Sequence, residues 1–467
     1  MTGSRVDVDE RPTVVVVGGG LAGLSAAVTA ADAGWAVTLL ESRTRLGGAT
    51  HSFARAFGSE TLEVDNGQHV FLRCCTAYRE FLRRLGVEEQ TSLQPRLDVP
   101  VVDAVNGRRA RLRRDRLPAP LHLARALLSY RLLTPMQRLR AIVASLALNR
   151  VDRRSAASDT TTFRDWLIAH GQSDAAIERL FDVFTVATLN APAAQVSLTL
   201  AAMVFQDGLL RRSDACDIGV ALVPLGQLHG DAAESALVAA GGTVQLRSRV
   251  RRIVAQPDRR WRVETDDSAI DADAVVLAVP HLAAADLLPD DAVAEPERVR
   301  GLDVAPIINV HVVFDRVVLH EPFVGAVGSP VQFVFDRTVQ SGLAARGDDG
   351  QYVAVSVSAA DAWIDEPVER LREIFLPELA RVLPATGDAV VRDFFVTRER
   401  EATFRPVPGS AARRLPTITN VPGLLVAGAW TDTGWPATME GAVRSGVAAA
   451  HALELQRAEL THSELFS

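Results

Sequence analysis

The sequence predicts an α/β fold. Its parts are a discontinuous Rossmann-type nucleotide-binding domain, an α+β second domain and a helical insertion. Three observations predict it. An unbroken β-branched run leads into a glycine fingerprint near the N-terminus. Strand–helix alternation resumes after residue 222, beyond a mostly helical stretch. Strand-rich sequence over 302–360 then interrupts it, ahead of a last glycine-rich strand–loop–helix.

Thr13 to Val17 read as a buried strand, because no polar residue breaks the β-branched run. Gly18, Gly20 and Gly23 follow with G-x-G-x-x-G spacing. The first permits a tight turn, the second lets backbone approach a pyrophosphate, and the third lets helix and strand pack closely. A helix from Leu21 to Ala33 is apolar nearly all round, and Gly34 is placed to end it. Its N-terminus, from Leu21 and Ala22 onward, offers free N–H groups to phosphates. A second strand, Ala36 to Leu40, runs into Glu41, which lies 18 residues after Gly23. There a carboxylate can accept from ribose hydroxyls. Strand, fingerprint, helix and acid together predict dinucleotide binding.

Leu62 to Phe71 reads as a strand broken by Asp65-Asn66-Gly67-Gln68-His69, where backbone can approach a ligand, although an Asn-Gly turn would look the same. Tyr78, Phe81, Leu82 and Leu85 mark a helix that Gly86 ends. Residues 95–114 alternate and then turn basic; 117–149 turn helical. The latter stretch carries Arg125, Arg131, Arg138 and Arg140 among leucines, with no acid. A basic amphipathic helix pair of this kind suits an anionic membrane surface, or else a helical cap with solvated arginines. A helix is expected over about 228–240, and strands over 243–246, 250–255, 261–265 and 274–278. An antiparallel sheet is expected from 307–314, 332–335, 352–358 and 389–396, with a helix over about 367–382. Leu424 to Ala427 forms a last buried strand, and a helix starts near Met439.

The chain has 467 residues and 48% hydrophobic content, ample for more than one domain. A net charge of −7 argues against nucleic-acid binding. Cys74, Cys75 and Cys216 form no disulfide framework and no metal-ligand spacing, so a reducing cytosol is expected. Residues 1–11 read as a disordered tail with no apolar signal region. No uncharged apolar run reaches the roughly 18 residues of a membrane span.

Glu41-Ser42-Arg43, followed by Gly47-Gly48, resembles the E-x-R-x-x-x-G-G run of the flavin-containing amine oxidase and phytoene desaturase superfamily. The Asp65–His69 run and the tail from Trp430 to Gly446 resemble a narrower group, the squalene-associated FAD-dependent desaturases, whose members act as hydroxysqualene dehydroxylases in hopanoid biosynthesis. The resemblance implies FAD as cofactor. It implies contacts at Gly18, Gly20, Leu21, Ala22, Gly23, Glu41, Ser42, Arg43, Gly47, Gly48, Val250, Gly428, Thr438, Met439, Glu440 and Ala442. Residues 12–90, 222–300 and 397–460 are then the FAD domain. Residues 91–221 and 301–396 form the substrate domain, with the helical segment 117–149. Ala49 and Ala429 stand where the superfamily has Arg and Asp, so fewer polar cofactor contacts are expected.

The reaction the resemblance implies is reductive: an allylic C30 alcohol loses water and gains hydride. Losing hydroxide requires a proton donor. His69 is the first candidate, as an imidazolium near neutral pH, with Asp65 and Asp432 as alternatives. A hydrophobic C30 substrate implies peripheral contact with the cytoplasmic membrane, and the lack of a second nucleotide fingerprint implies a separate electron donor. The rival readings are a phytoene-type desaturase and a non-catalytic isoprenoid escort protein.

Overall fold

In a computed structural model, the structure describes residues 11–465 apart from 296 and 348. All but the last residue of the expected tail over 1–11 lies outside the described residues.

The nucleotide-binding sheet has five parallel strands, in the order Thr243–Gln245, Ala36–Leu40, Thr13–Val17, Ala274–Leu277 and Leu424–Val426. Thr13–Val17 is its central strand, flanked on both sides, which is why four valines in a row are buried there. Helix Leu21–Asp32 packs on helix Met439–Leu465. At Gly446 an added Cβ would stand 2.1 Å from the Ala22 carbonyl oxygen, so only glycine admits this approach.

Beside this sheet, Val250–Ala255, Trp261–Thr265 and Ala269–Ala272 form an antiparallel ribbon. Sequence reasoning missed its third strand, Ala-Ile-Asp-Ala, because it has no apolar run.

The second sheet has seven strands: Val391–Phe404, Val304–Phe314, Gln351–Val357, Phe333–Asp336, Phe323–Val327, Asp98–Asp103 and Arg109–Arg113. It is antiparallel, as expected, except where Phe323–Val327 runs parallel to Asp98–Asp103. That join unites two segments distant in the chain, so no local signal announced it. Val391–Phe404 extends well past the expected 389–396, and the domain boundary placed at 397 falls inside it. Its later half is polar (Arg-Glu-Arg-Glu) and half-exposed, which hid the strand pattern.

Alternation along Val304–Phe314 gives this sheet two different faces. Ile308, Val310 and Val312 pack with Leu371, Phe375 and Leu379 of helix Val368–Val382. Asn309 and His311, equally buried, lie on the opposite face and meet the Asp65–His69 run.

The helical segment forms a short helix Ala124–Leu128 and a longer one, Pro135–Leu148. Thr134 and Gln137 make a capping box at the start of the second. Leu128, Met136, Leu139, Val143 and Leu146 are 46–57% exposed. The four on the longer helix recur at helical spacing and make one apolar stripe. Beneath it is an apolar cavity of about 100 Å³, walled by Leu127, Ile142, Leu146, Phe181, Phe184 and Phe205. Among the described residues no helix is long and apolar enough to cross a membrane.

Candidate active site

The glycine turn is built as the spacing predicts. Gly18 adopts φ +107°, and a Cβ there would meet the Ala278 carbonyl oxygen at 2.5 Å. A Cβ on Gly23 would lie 1.8 Å from the Gly18 oxygen, so only glycine lets helix and strand approach this closely. Gly20 differs: it has φ −79°, and the nearest atom to its Cβ position is 3.8 Å away. It leaves room beside the first helical turn. No side chain caps that turn, so the amides of Leu21, Ala22 and Gly23 remain to serve an anion.

Glu41 is buried. Its Oε2 accepts from the Gly19 amide at 2.7 Å and its Oε1 from the Arg43 amide at 2.7 Å, while the Ser42 hydroxyl donates at 3.2 Å. A carboxylate so held keeps lone pairs for a ribose diol. Ser248 donates to the Glu41 carbonyl, which places Val250, the first residue of its strand, at this end of the site. Gly47 and Gly48 have φ +93° and +57°, and Gly47 forms a bridge with Gly20. Arg45 donates to the Gly48 carbonyl at 3.1 Å, fixing the glycine pair; it was not among the expected site residues.

At the other end, Gly428 takes φ +150°, where a Cβ would meet Trp430 Nε1 at 2.3 Å. The Gly428 amide donates to Ser445 Oγ at 2.8 Å. Thr438 Oγ1 accepts from the Gly441 amide at 3.1 Å and so caps the last helix. Its amides near Met439 and Glu440 are thereby presented at a helix N-terminus. Two of the expected contact residues also bond within the chain. The Glu440 carboxylate accepts from Ala77 and Tyr78 amides (3.1 and 2.7 Å) and from Arg444 (2.7 Å), so it caps helix Thr76–Arg84 and only its backbone is free for a cofactor. The Ala442 amide donates to the Thr438 carbonyl at 2.9 Å and is likewise committed.

Between these ends sits a polar cluster centred on Asn66, which is 2% exposed. The Asn66 carbonyl accepts from Asn309 Nδ2 (3.1 Å) and Thr397 Oγ1 (2.9 Å). Its side chain donates to the Ala49 carbonyl (2.8 Å) and Glu399 (2.9 Å), and accepts from the His51 amide (3.0 Å). Since Thr397 donates its proton to Asn66, it must accept from His311 Nε2 (3.0 Å), and His311 Nδ1 accepts from Tyr352 OH (2.7 Å). Asn309 and His311 are therefore ordered donors and acceptors, not filler. They were legible as polar residues two apart in an apolar strand. Buried atoms without a partner remain on His51 Nδ1, Gln68 Oε1 and Asn309 Oδ1, the arrangement expected around a polar ligand.

Of the candidate acids, Asp65 and His69 are brought together and Asp432 is not. Asp65 accepts from Ser52 Oγ (2.5 Å), the Leu225 amide (2.9 Å) and the Arg337 guanidinium. These three donors hold the carboxylate in place. Asp432 is exposed, and its charge acts on Arg414. His69 hydrogen-bonds the Gly67 carbonyl through Nδ1 at 3.3 Å. Burial pushes its pKa below the ordinary 6.5, against the opposing pull of that carbonyl, Asp65 and Glu399. Burial thus favours the neutral ring, and with Nδ1 donating to the Gly67 carbonyl, Nε2 faces outward as an acceptor.

The same physics predicts acid lability. Burial holds His229 and His311 down to about 3 and His51 to about 4, against 6.5 for the exposed ring. Between those values the unfolded chain binds more protons than the native one, so stability falls as pH falls below about 6.5. Thermal unfolding from pH 7.5 to 5 should show a falling Tm, and His311→Gln should flatten the slope. A Tm independent of pH over that range would refute the assignment.

Comparison with known proteins agrees with this geometry. The model of the flavin containing amine oxidoreductase family matches residues 21–453. The chain is 30% identical to a hydroxysqualene dehydroxylase of Sinorhizobium fredii over 94% of its own length and 97% of the relative's. It is 25% identical to a 15-cis-phytoene desaturase of Solanum lycopersicum, over 95% of this chain and 78% of that one. An oxidoreductase from Methanosarcina mazei shares the fold, with a TM-score of 0.73 at 18% identity, covering 94% and 100% of the two chains. The chain belongs to the flavin-containing amine oxidoreductase family, in the group of sequences that includes that dehydroxylase. It is an FAD-dependent oxidoreductase.

Proposed function

We propose that this enzyme reduces hydroxysqualene to squalene at the cytoplasmic membrane surface. The single observation that carries the substrate class is the exposed apolar stripe of helix Pro135–Leu148 over an apolar cavity, a surface suited to a long hydrocarbon. The direction of the reaction is taken from the Sinorhizobium relative.

Reduced FAD supplies the hydride, drawn from a separate reductase or free reduced flavin. The balance is one alcohol, one hydride and one proton giving one hydrocarbon and one water. The Gly20, Glu41 and Gly47–Gly48 elements would hold the cofactor, and the Asn66 cluster would supply fixed polar groups to orient it. His69 is the residue we assign to proton transfer, since Asp65 is engaged in its ion pair and Asp432 is exposed. The negative charges of Asp65 and Glu399 favour its protonated form once a proton is delivered.

Anaerobic incubation of the flavin-loaded protein with reduced FAD and hydroxysqualene should give squalene. His69→Ala should lower the rate by about 100-fold, the usual scale for losing a general acid. If no squalene forms, but a polyene is desaturated under oxidising conditions, the phytoene-type reading replaces this one.

A further inference from the structure

An open cleft of about 650 Å³ lies outside the cofactor site, against the link between the two helices of the helical segment. Arg109, Arg111, Arg131 and His320 line it, with Glu321 the single acid. Arg111 is neutralised by Asp98 (3.0 Å) and Glu321. Arg109 and Arg131 form no ion pair among the described residues, so two uncompensated guanidiniums face one cleft of a chain whose net charge is −7. Its remaining walls are apolar, including Val318, Leu319, Leu383 and Pro384. Ser129, also lining it, directly follows the exposed Leu128, and Arg131 comes two residues later.

We infer that this cleft binds the headgroup of an anionic phospholipid. The two guanidiniums suit the non-bridging oxygens of a phosphodiester, and the apolar walls suit the glycerol and the first acyl carbons. The inference rests on the membrane-docking reading above and adds a ligand to it. The stripe contributes insertion that ignores lipid charge; the cleft contributes selection for anionic lipid.

The test is sedimentation of flavin-loaded protein with phosphatidylglycerol or phosphatidylcholine vesicles. Arg109→Glu/Arg131→Glu should weaken binding to phosphatidylglycerol by at least about tenfold and leave binding to phosphatidylcholine unchanged. Leu139→Gln/Val143→Gln should weaken both. Unchanged flavin absorbance in each variant reports an intact fold. Soluble dihexanoylphosphatidylglycerol, titrated below its micelle concentration, should bind wild type and the stripe variant but not the arginine variant. If the arginine variant pellets with phosphatidylglycerol as wild type does, the cleft assignment is overturned and docking stands. If wild type ignores both vesicles, docking fails, and the short-chain titration alone decides the cleft: no arginine-dependent binding overturns it. Inorganic phosphate displacing the short lipid at equal concentration also overturns it, in favour of a free-phosphate site.

Discussion

Gly23→Ala will yield a protein that does not retain FAD. The added methyl would stand 1.8 Å from the Gly18 carbonyl oxygen, a backbone atom that cannot swing aside. Helix Leu21–Asp32 must then lift from strand Thr13–Val17, moving the first-turn amides away from the pyrophosphate. Overpacking of this kind costs about 1–3 kcal/mol of stability in addition. Gly20→Ala separates the two effects. Its Cβ meets nothing closer than 3.8 Å and its φ suits alanine, so the apoprotein should melt like wild type. The methyl instead fills the space where backbone and pyrophosphate meet. Both variants should purify colourless, with only Gly23→Ala destabilised before FAD is added. A yellow Gly20→Ala protein with the wild-type flavin spectrum would place the pyrophosphate elsewhere.

Arg337→Ala has the second large expected effect. Arg337 and Asp65 pair with side-chain exposures of only 12% and 3%. Truncating the arginine leaves a buried carboxylate with two neutral donors, Ser52 and the Leu225 amide. Removing one partner of a buried pair costs about 3–5 kcal/mol. Chemical denaturation of the holoprotein should show a loss of that size. Asp65→Asn combined with Arg337→Met should recover most of it, because no charge is left stranded. A loss below about 1 kcal/mol would mean that the pair behaves like one at the surface.

How much was legible depended on whether the signal was local. The glycine turn, both of its strands and Glu41 follow from spacing within one short stretch, and they stand where the sequence put them. The break at Asp65–His69 was visible as polar residues within an apolar run. What holds it was not: Arg337, Asn309 and Thr397 reach it from strands and loops hundreds of residues away. The lowering of the His69 pKa was hidden for the same reason. Its burial is created by distant packing, and no neighbour in sequence reports it. The internal partners of Glu440 and Ala442 were also hidden, because a motif locates a helix terminus without saying which atoms that terminus already uses.

The parallel sheet draws its strands from residues 13–40, 243–277 and 424–426, and helix Met439–Leu465 closes against the first helix at Gly446. During synthesis, therefore, residues 13–446 must all leave the ribosome before the flavin cradle can close. Until then the sheet lacks its edge strand Leu424–Val426, and the apolar stripe of helix Pro135–Leu148 is already exposed. Such a chain has high contact order and is vulnerable to aggregation in its long unfinished stage. Flavin acts on it as a late fastener: it can bind only the finished architecture, and by binding it draws the last-made helix and the first-made strand into one cooperative unit.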